Sequence, residues 1–271
     1  MAEEVLFNQM KFGIMQGRLF SQKKFGDNKI SINSINEFKL LKNSDFDYIE
    51  IIVDRNLFFL KLINNYKISK IKNKIYSINI DYFVENNFFT DLIFNKELLE
   101  KIIKFSIKMG VKVIVIPCIE DNSLNERQMA TLIKIIEKKI RNRNIQISLE
   151  INKITKTTKE KLKNKKIGIC YDTGNLGSNS FSFLKKYFFK INHIHVKDVN
   201  INMKSCMLGD GIINFKKIFN FLKEKKYNKN ITLETFFISK KNLINAIVCV
   251  CLCVRACVCV CVCLCVCACV C

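Results

Sequence analysis

Glu150 in IQISLEI, Asp172 in KIGICYDTGN, His195 in INHIHVKDV and Glu234 in NITLETFF are side chains that can bind a cation or carry a proton. Each stands near the C-terminal end of a short segment with period-2 alternation, the pattern of a β-strand. Apolar residues take one phase: Ile145, Ile147 and Leu149; Ile167, Ile169 and Tyr171; Ile194 and Val196; Ile231 and Leu233. The four polar residues take the other. If the strands are parallel and close into a barrel, the apolar phase packs on outer helices and the other phase points inward. Two Glu, one Asp and one His then converge at one mouth. That donor set suits a single divalent cation such as Mg²⁺, Mn²⁺, Co²⁺ or Zn²⁺.

The elements needed to position them are present. Four further strand candidates precede these: KFGIMQG (11–17), YIEIIVD (48–54), KIYSINIDYF (74–83) and VKVIVIPCIE (111–120). Helical stripes lie between strands: Leu98, Leu99, Ile102, Ile103 and Phe105; Leu132, Ile133, Ile136 and Ile140; Phe215, Ile218, Phe219 and Leu222. Eight strands alternating with helices predict an α/β fold, a (β/α)₈ TIM barrel, with its site at the C-terminal strand ends. One domain is expected over 11–247. An eighth helix should start near Lys240 and be cut short by the Cys/Val run that begins at Val248.

From Val248 to Cys271 the chain is nearly pure alternating Cys and Val and holds eleven of its 14 cysteines. Translation of a TG dinucleotide repeat gives this alternation, so the tail reads as a translated repeat rather than a membrane span or a metal tract. Cys118, Cys170 and Cys206 show no pairing pattern and suit a reducing cytoplasm. The start, MAEEVLFNQM, has no apolar leader core, and a cytoplasmic location is expected. The net charge of +21 comes from 45 basic residues of which only six are Arg. Lys rises together with Asn, Ile and Phe, the residues of A/T-rich codons, so the charge does not predict a nucleic-acid partner.

Other polar residues fall on the inward phase or at strand ends. His193 lies two residues deeper than His195 and is expected to support a ligand or bond within the core. Glu50, with Asp54, points inward on the second strand, as a substrate contact or a partner of a Lys. Arg18 and Lys197 stand where a phosphate or carboxylate could bind, or serve as ion-pair partners. The GDG at 209–211 reads as a tight turn and only weakly as a phosphate cradle. Cys118 has no adjacent base and is expected to pack.

Taken together, GIMQGRL (13–19), FDYIEIIVD (46–54), ISLEI (147–151), YDTGN (171–175), HIHVKD (193–198), LGDGIINF (208–215) and LET (233–235) resemble the xylose isomerase-like TIM barrels, the sugar isomerase and epimerase superfamily. The resemblance spans residues 11 to about 247. It implies that Glu150, Asp172, His195 and Glu234 hold one divalent metal and that Glu150 and Glu234 are the catalytic acid/base pair. It implies a sugar or sugar derivative as small-molecule partner, with no nucleic acid and no membrane, and is compatible with a homo-oligomer. Some members carry a His where Asn175 stands and an Arg near Ile201, both used on substrate. Asn175 joins Glu50, Arg18, Lys197 and His193 as a candidate substrate-binding residue, and a ketohexose epimerase is no more strongly implied than an enzyme for another sugar, sugar phosphate or cyclitol. The expected activity is metal-dependent isomerisation or epimerisation by proton transfer through an enediolate. A lyase such as a cyclitol or ketose dehydratase is the alternative. Zinc abasic-site endonucleases share the barrel but build a His-rich three-zinc cluster, and this chain has two His. A non-functional product is a further alternative, raised by the tail.

Overall fold

The eight alternating segments are β-strands in the computed structural model, which describes residues 10–19, 34–44, 46–64 and 66–234. They are β1 (Phe12–Met15), β2 (Tyr48–Ile52), β3 (Ile75–Asn79), β4 (Val113–Pro117), β5 (Gln146–Glu150), β6 (Ile167–Asp172), β7 (Ile191–Val196) and, after the short hairpin β8 (Asp198–Val199) and β9 (Ser205–Cys206), β10 (Ile231–Leu233). All neighbours in the barrel pair in parallel, and the order β1-β10-β7-β6-β5-β4-β3-β2 closes on itself. Closure leaves no free edge among these strands. The expected closing helix from Lys240 and the Cys/Val tail lie outside the described residues.

Helices α1 (Ser34–Leu40), α2 (Phe58–Ile63), α3 (Tyr82–Glu85), α4 (Leu92–Met109), α5 (Glu126–Ile140), α6 (Lys156–Lys161), α7 (Ser180–Tyr187) and α8 (Phe215–Glu224) fill the connections. Local sequence sets their ends. Asp91 accepts from Phe94 N at the start of α4, and Gly110, at φ 73°, turns the chain out of its last turn. Asn125 and Gln128 form a capping box on α5. The apolar stripes of α4, α5 and α8 are buried, and they pack on the outward phase of the strands, Ile147, Leu149, Ile167, Ile169, Ile194, Val196, Ile231 and Leu233. No helix among the described residues is long and apolar enough to cross a membrane.

Inside the barrel, below the mouth, Val113, Val115 and Cys170 pack together with Tyr76 against them, and Tyr76 meets Tyr48 at 5.2 Å between ring centroids. Two glycines make room for large neighbours. A Cβ on Gly13 would stand 2.1 Å from Tyr48 Cε2, and one on Gly168 would stand 2.4 Å from Asn192 Cγ. Register shifts mark β3 against β2 and β7 against β6. The second admits Asn192, whose side chain binds Ser148 Oγ at 2.6 Å and donates to the Ile147 carbonyl at 3.1 Å.

Overpacking a filled interior costs about 1–3 kcal/mol. Gly13→Ala and Gly168→Ala are each expected to lower unfolding stability by that much, read as a lower urea midpoint with the m-value unchanged. Midpoints equal to the parent would show that the interior can yield at these positions.

Candidate metal centre

Glu150 ends β5, Asp172 ends β6, His195 is the penultimate residue of β7, and Glu234 follows β10 directly. All four therefore stand at the C-terminal mouth. Backbone pairing sets their heights: Asp172 is level with His195, and Glu234 N donates to the Val196 carbonyl at 3.0 Å. His195 Nδ1 lies 3.1 Å from Glu234 Oε2 and 4.0 Å from Glu150 Oε2. Asp172, His195 and Glu234 each offer one ligand atom within 4.8 Å of the other two. Asp172 Oδ2, His195 Nδ1 and Glu234 Oε2 are buried and make no hydrogen bond among the described residues. Buried polar atoms in native proteins are nearly always satisfied. Three such atoms converging on one point, with a fourth carboxylate beside them, fit a divalent cation.

The other oxygens of these side chains are engaged, and that aims the ligand atoms. Asp172 Oδ1 accepts from Gly174 N (2.7 Å) and Asn175 N (2.9 Å). Asn175 Nδ2 donates to Glu150 Oε1 at 2.5 Å. His195 Nε2 lies 2.7 Å from Glu50 Oε1. Two neighbouring clusters of potential ligands fit a metal less well. In Glu50, His193 and His195 the facing atoms already hydrogen-bond one another. In Glu150, Cys170 and His195 the Cys170 side chain packs into the apolar interior with Val113, Val115 and Tyr76.

The candidate substrate contacts fall into two groups. Lys197, Asn175 and Arg18 line the mouth. Lys197 Nζ stands 3.2 Å from Asp172 Oδ2 and 3.5 Å from Glu234 Oε1, so it is an ion-pair partner of the acid cluster. Arg18 is buried within electrostatic reach of Glu234, Asp81 and Glu37. Glu50 and His193 are fully buried beneath His195. Glu50 is neither open to a substrate nor paired with a Lys: its two oxygens face His195 and His193. The physical reason is enclosure, since His195, His193, Thr232 and Ser77 close over both oxygens and leave Glu50 fully buried. The amides of the GDG turn are also taken. Asp198 Oδ2 accepts from Gly209 N (2.9 Å) and Gly211 N (3.0 Å), and Oδ1 from Val199 N and Ile213 N. The glycines serve that buried carboxylate and leave no cradle for a phosphate.

Sequence reasoning missed Asp198, Glu37 and Asp81. Glu37 accepts from Gly17 N and Leu19 N and so pins the loop that carries Arg18. Asp81 stands two residues beyond β3 at the mouth, and desolvation by burial, then the charge of Glu234, pushes its carboxyl up to about 6. Its place at a strand end was a usable signal.

Charge is uneven across the cluster. Burial, then Asp172, pushes Glu150 up to about 8. Burial opposes the charge on Glu234, but Lys197 and His195 hold it below the usual carboxylate range. Burial also opposes an imidazolium at His195. Cys170 is neutral near pH 7, so the charge of Glu50, hydrogen-bonded at Nε2, and the nearby Glu234 carboxylate account for its rise well above the usual histidine value. Burial works against the charge of Glu50 too, yet His195 and His193 hold it well below the carboxylate range.

Two sites thus hold protons that a cation must displace. Between pH 6 and about 8, apparent Co²⁺ affinity should rise by at least about tenfold per pH unit, and the slope should ease above about 8 as Glu150 loses its proton. The linkage has a definite sign. Glu150 and His195 both bind protons more tightly folded than unfolded, so their stabilisation of the metal-free protein fades as pH rises through their folded values. Melting with chelator should show lower stability at pH 9 than at pH 6, and Co²⁺ should narrow the gap. A Co²⁺ affinity independent of pH would contradict this charge assignment.

Three comparisons bear on the geometry. The model of the xylose isomerase-like TIM barrel family matches residues 38–245. The inosose dehydratase of Clostridium botulinum is 31% identical in an alignment 111 residues long that covers 33% of this chain and 36% of that protein. The chain therefore spans about a third of the length of the curated relatives it matches. Among solved structures, an IOLI protein with a binding zinc atom superposes with a TM-score of 0.65 at 15% identity, over 88% of this chain and 98% of that one. The 3-keto-D-glucoside 4-epimerase of E. coli in its apo form superposes with a TM-score of 0.63 at 18% identity, over 88% and 98%. At such identities the two structures speak for the fold, and the family match carries the assignment: this chain belongs to the xylose isomerase-like TIM barrel family.

Proposed function

We propose that the protein is a divalent-metal-dependent isomerase or epimerase of a sugar or sugar derivative. The observation that supports this reading most is the set of ligand atoms without a hydrogen bond, Asp172 Oδ2, His195 Nδ1 and Glu234 Oε2, beside Glu150 at the mouth. Glu150, Asp172, His195 and Glu234 would hold Mg²⁺, Mn²⁺, Co²⁺ or Zn²⁺. The metal would polarise a carbonyl and its neighbouring hydroxyl and so lower the barrier to removing the α proton.

The remaining chemistry belongs to the two glutamates. In the barrel, β6 and β7 separate β5 from β10, so Glu150 and Glu234 flank Asp172 and His195 from opposite sides. A substrate seated over Asp172 and His195 would have one carboxylate at each flank. One takes the α proton, and the other returns a proton to the opposite face or the adjacent carbon, through an enediolate. Asn175 fixes Glu150 by its hydrogen bond. Lys197 steadies Glu234 and offers an ammonium donor to substrate oxygens at the mouth.

The local match to inosose dehydratases favours a second reading. A dehydratase would use the same proton abstraction and then expel a hydroxyl at the β carbon as water. Product identity separates the two readings.

General acid–base help is worth about 10²–10⁴-fold in rate, so Glu150→Gln and Glu234→Gln should each lose that much turnover. The direct test is a screen of ketoses, ketose phosphates and inososes with added metal in D₂O, followed by NMR. Isomerisation with deuterium entering at the carbon beside the carbonyl is expected. Turnover without solvent deuterium would point to a hydride shift and reject proton transfer, and loss of water would select the dehydratase.

A further inference from the structure

Glu50 crosses the barrel interior from β2 to reach both imidazoles of β7, the only two histidines of the chain. Its carboxylate is fully buried and has four hydrogen-bond partners. Oε1 faces His195 Nε2 at 2.7 Å. Oε2 faces His193 Nε2 at 2.7 Å and accepts from Thr232 Oγ1 at 2.9 Å and from Ser77 Oγ. An ionised carboxylate has about four acceptor sites and no proton to give. Each imidazole must therefore present N–H at Nε2. For His195 this leaves the lone pair of the neutral ring on Nδ1, the atom that stands 3.1 Å from Glu234 Oε2 and has no hydrogen bond.

We propose that Glu50 is a positioning residue for the metal centre: its carboxylate fixes the ring plane and tautomer of His195 so that Nδ1 is aimed at the point shared by Asp172 Oδ2 and Glu234 Oε2. His193, Thr232 and Ser77 are the struts that hold the carboxylate in place. Tyr48 Oη braces them in turn, 2.9 Å from Thr232 Oγ1 and donating to the Ile231 carbonyl at 3.2 Å. A carboxylate behind a ligating imidazole also raises the basicity of the ring. The inference rests on the metal reading of the four mouth residues and adds a fifth side chain that touches neither metal nor substrate.

The experiment uses the full chain and Co²⁺ as probe, with affinity read by calorimetry and by visible absorption. Glu50→Gln keeps the shape and removes the charge. It should weaken Co²⁺ binding by about 10–100-fold, as loss of such supporting groups typically does, while the melting profile in chelator stays cooperative. Affinity within about twofold of the parent would overturn the proposal and leave the metal site standing. A parent chain that binds no Co²⁺ would instead overturn the metal reading, and this proposal with it. If Glu50→Gln does not fold, ¹⁵N-histidine NMR of the parent decides. With two imidazoles in the spectrum, metal-free His195 in its neutral form should carry its proton on Nε2, shifted to low field and slow to exchange with water. A proton on Nδ1, or an Nε2 proton in fast exchange, would overturn the proposal.

Discussion

Like charges cannot be gathered out of water without a compensating cation, and that constraint governs the mouth of this barrel. Glu150, Asp172 and Glu234 converge, with Glu50 buried behind His195. Against these four carboxyl groups stand Lys197 and His195, with Arg18 at the rim. The protein answers the shortage in its metal-free state by protonating Glu150 and by charging His195. A divalent cation answers it better, because it replaces those protons and satisfies the three atoms that lack a hydrogen bond.

The scaffold is arranged so that this cluster cannot relax by moving apart. Each ligand sits on, or directly after, a strand whose neighbours on both sides are hydrogen-bonded, in a closed sheet. Buried carboxylates pin the loops above it: Glu37 holds the loop after β1, and Asp198 the long loop after β7. Asp172 does both, holding Gly174 and Asn175 with one oxygen and facing the cluster with the other. Rigidity of this kind keeps supporting groups within the tolerance that a metal centre needs.

The strands and the four mouth residues were legible in the sequence because a half-buried strand leaves a period-2 trace, and an acid or imidazole on the inward phase at its C-terminal end has few other reasons to be there. The same rule fails wherever a bulge intervenes. Asn192 and His193 are consecutive, yet both serve the barrel interior, Asn192 against Ser148 and His193 against Glu50. A strict alternation sends one of them outward. Ser77 and Tyr76 share that behaviour beside the shift on β3. Enclosure is also invisible to phase: Glu50 has the inward phase of a mouth residue but is covered by His195 and His193. Asp198 was hidden for another reason, since its partners are backbone amides up to 15 residues away that leave no mark in side-chain spacing.

Diffraction from a crystal soaked in Mn²⁺, recorded for anomalous scattering, tests the central claim most directly. One anomalous peak is expected at the mouth, at about 2.0–2.6 Å from Asp172 Oδ2, His195 Nδ1, Glu234 Oε2 and a Glu150 oxygen. A peak at Glu50 and His193 instead, or none at the mouth in a fully soaked crystal, would contradict it.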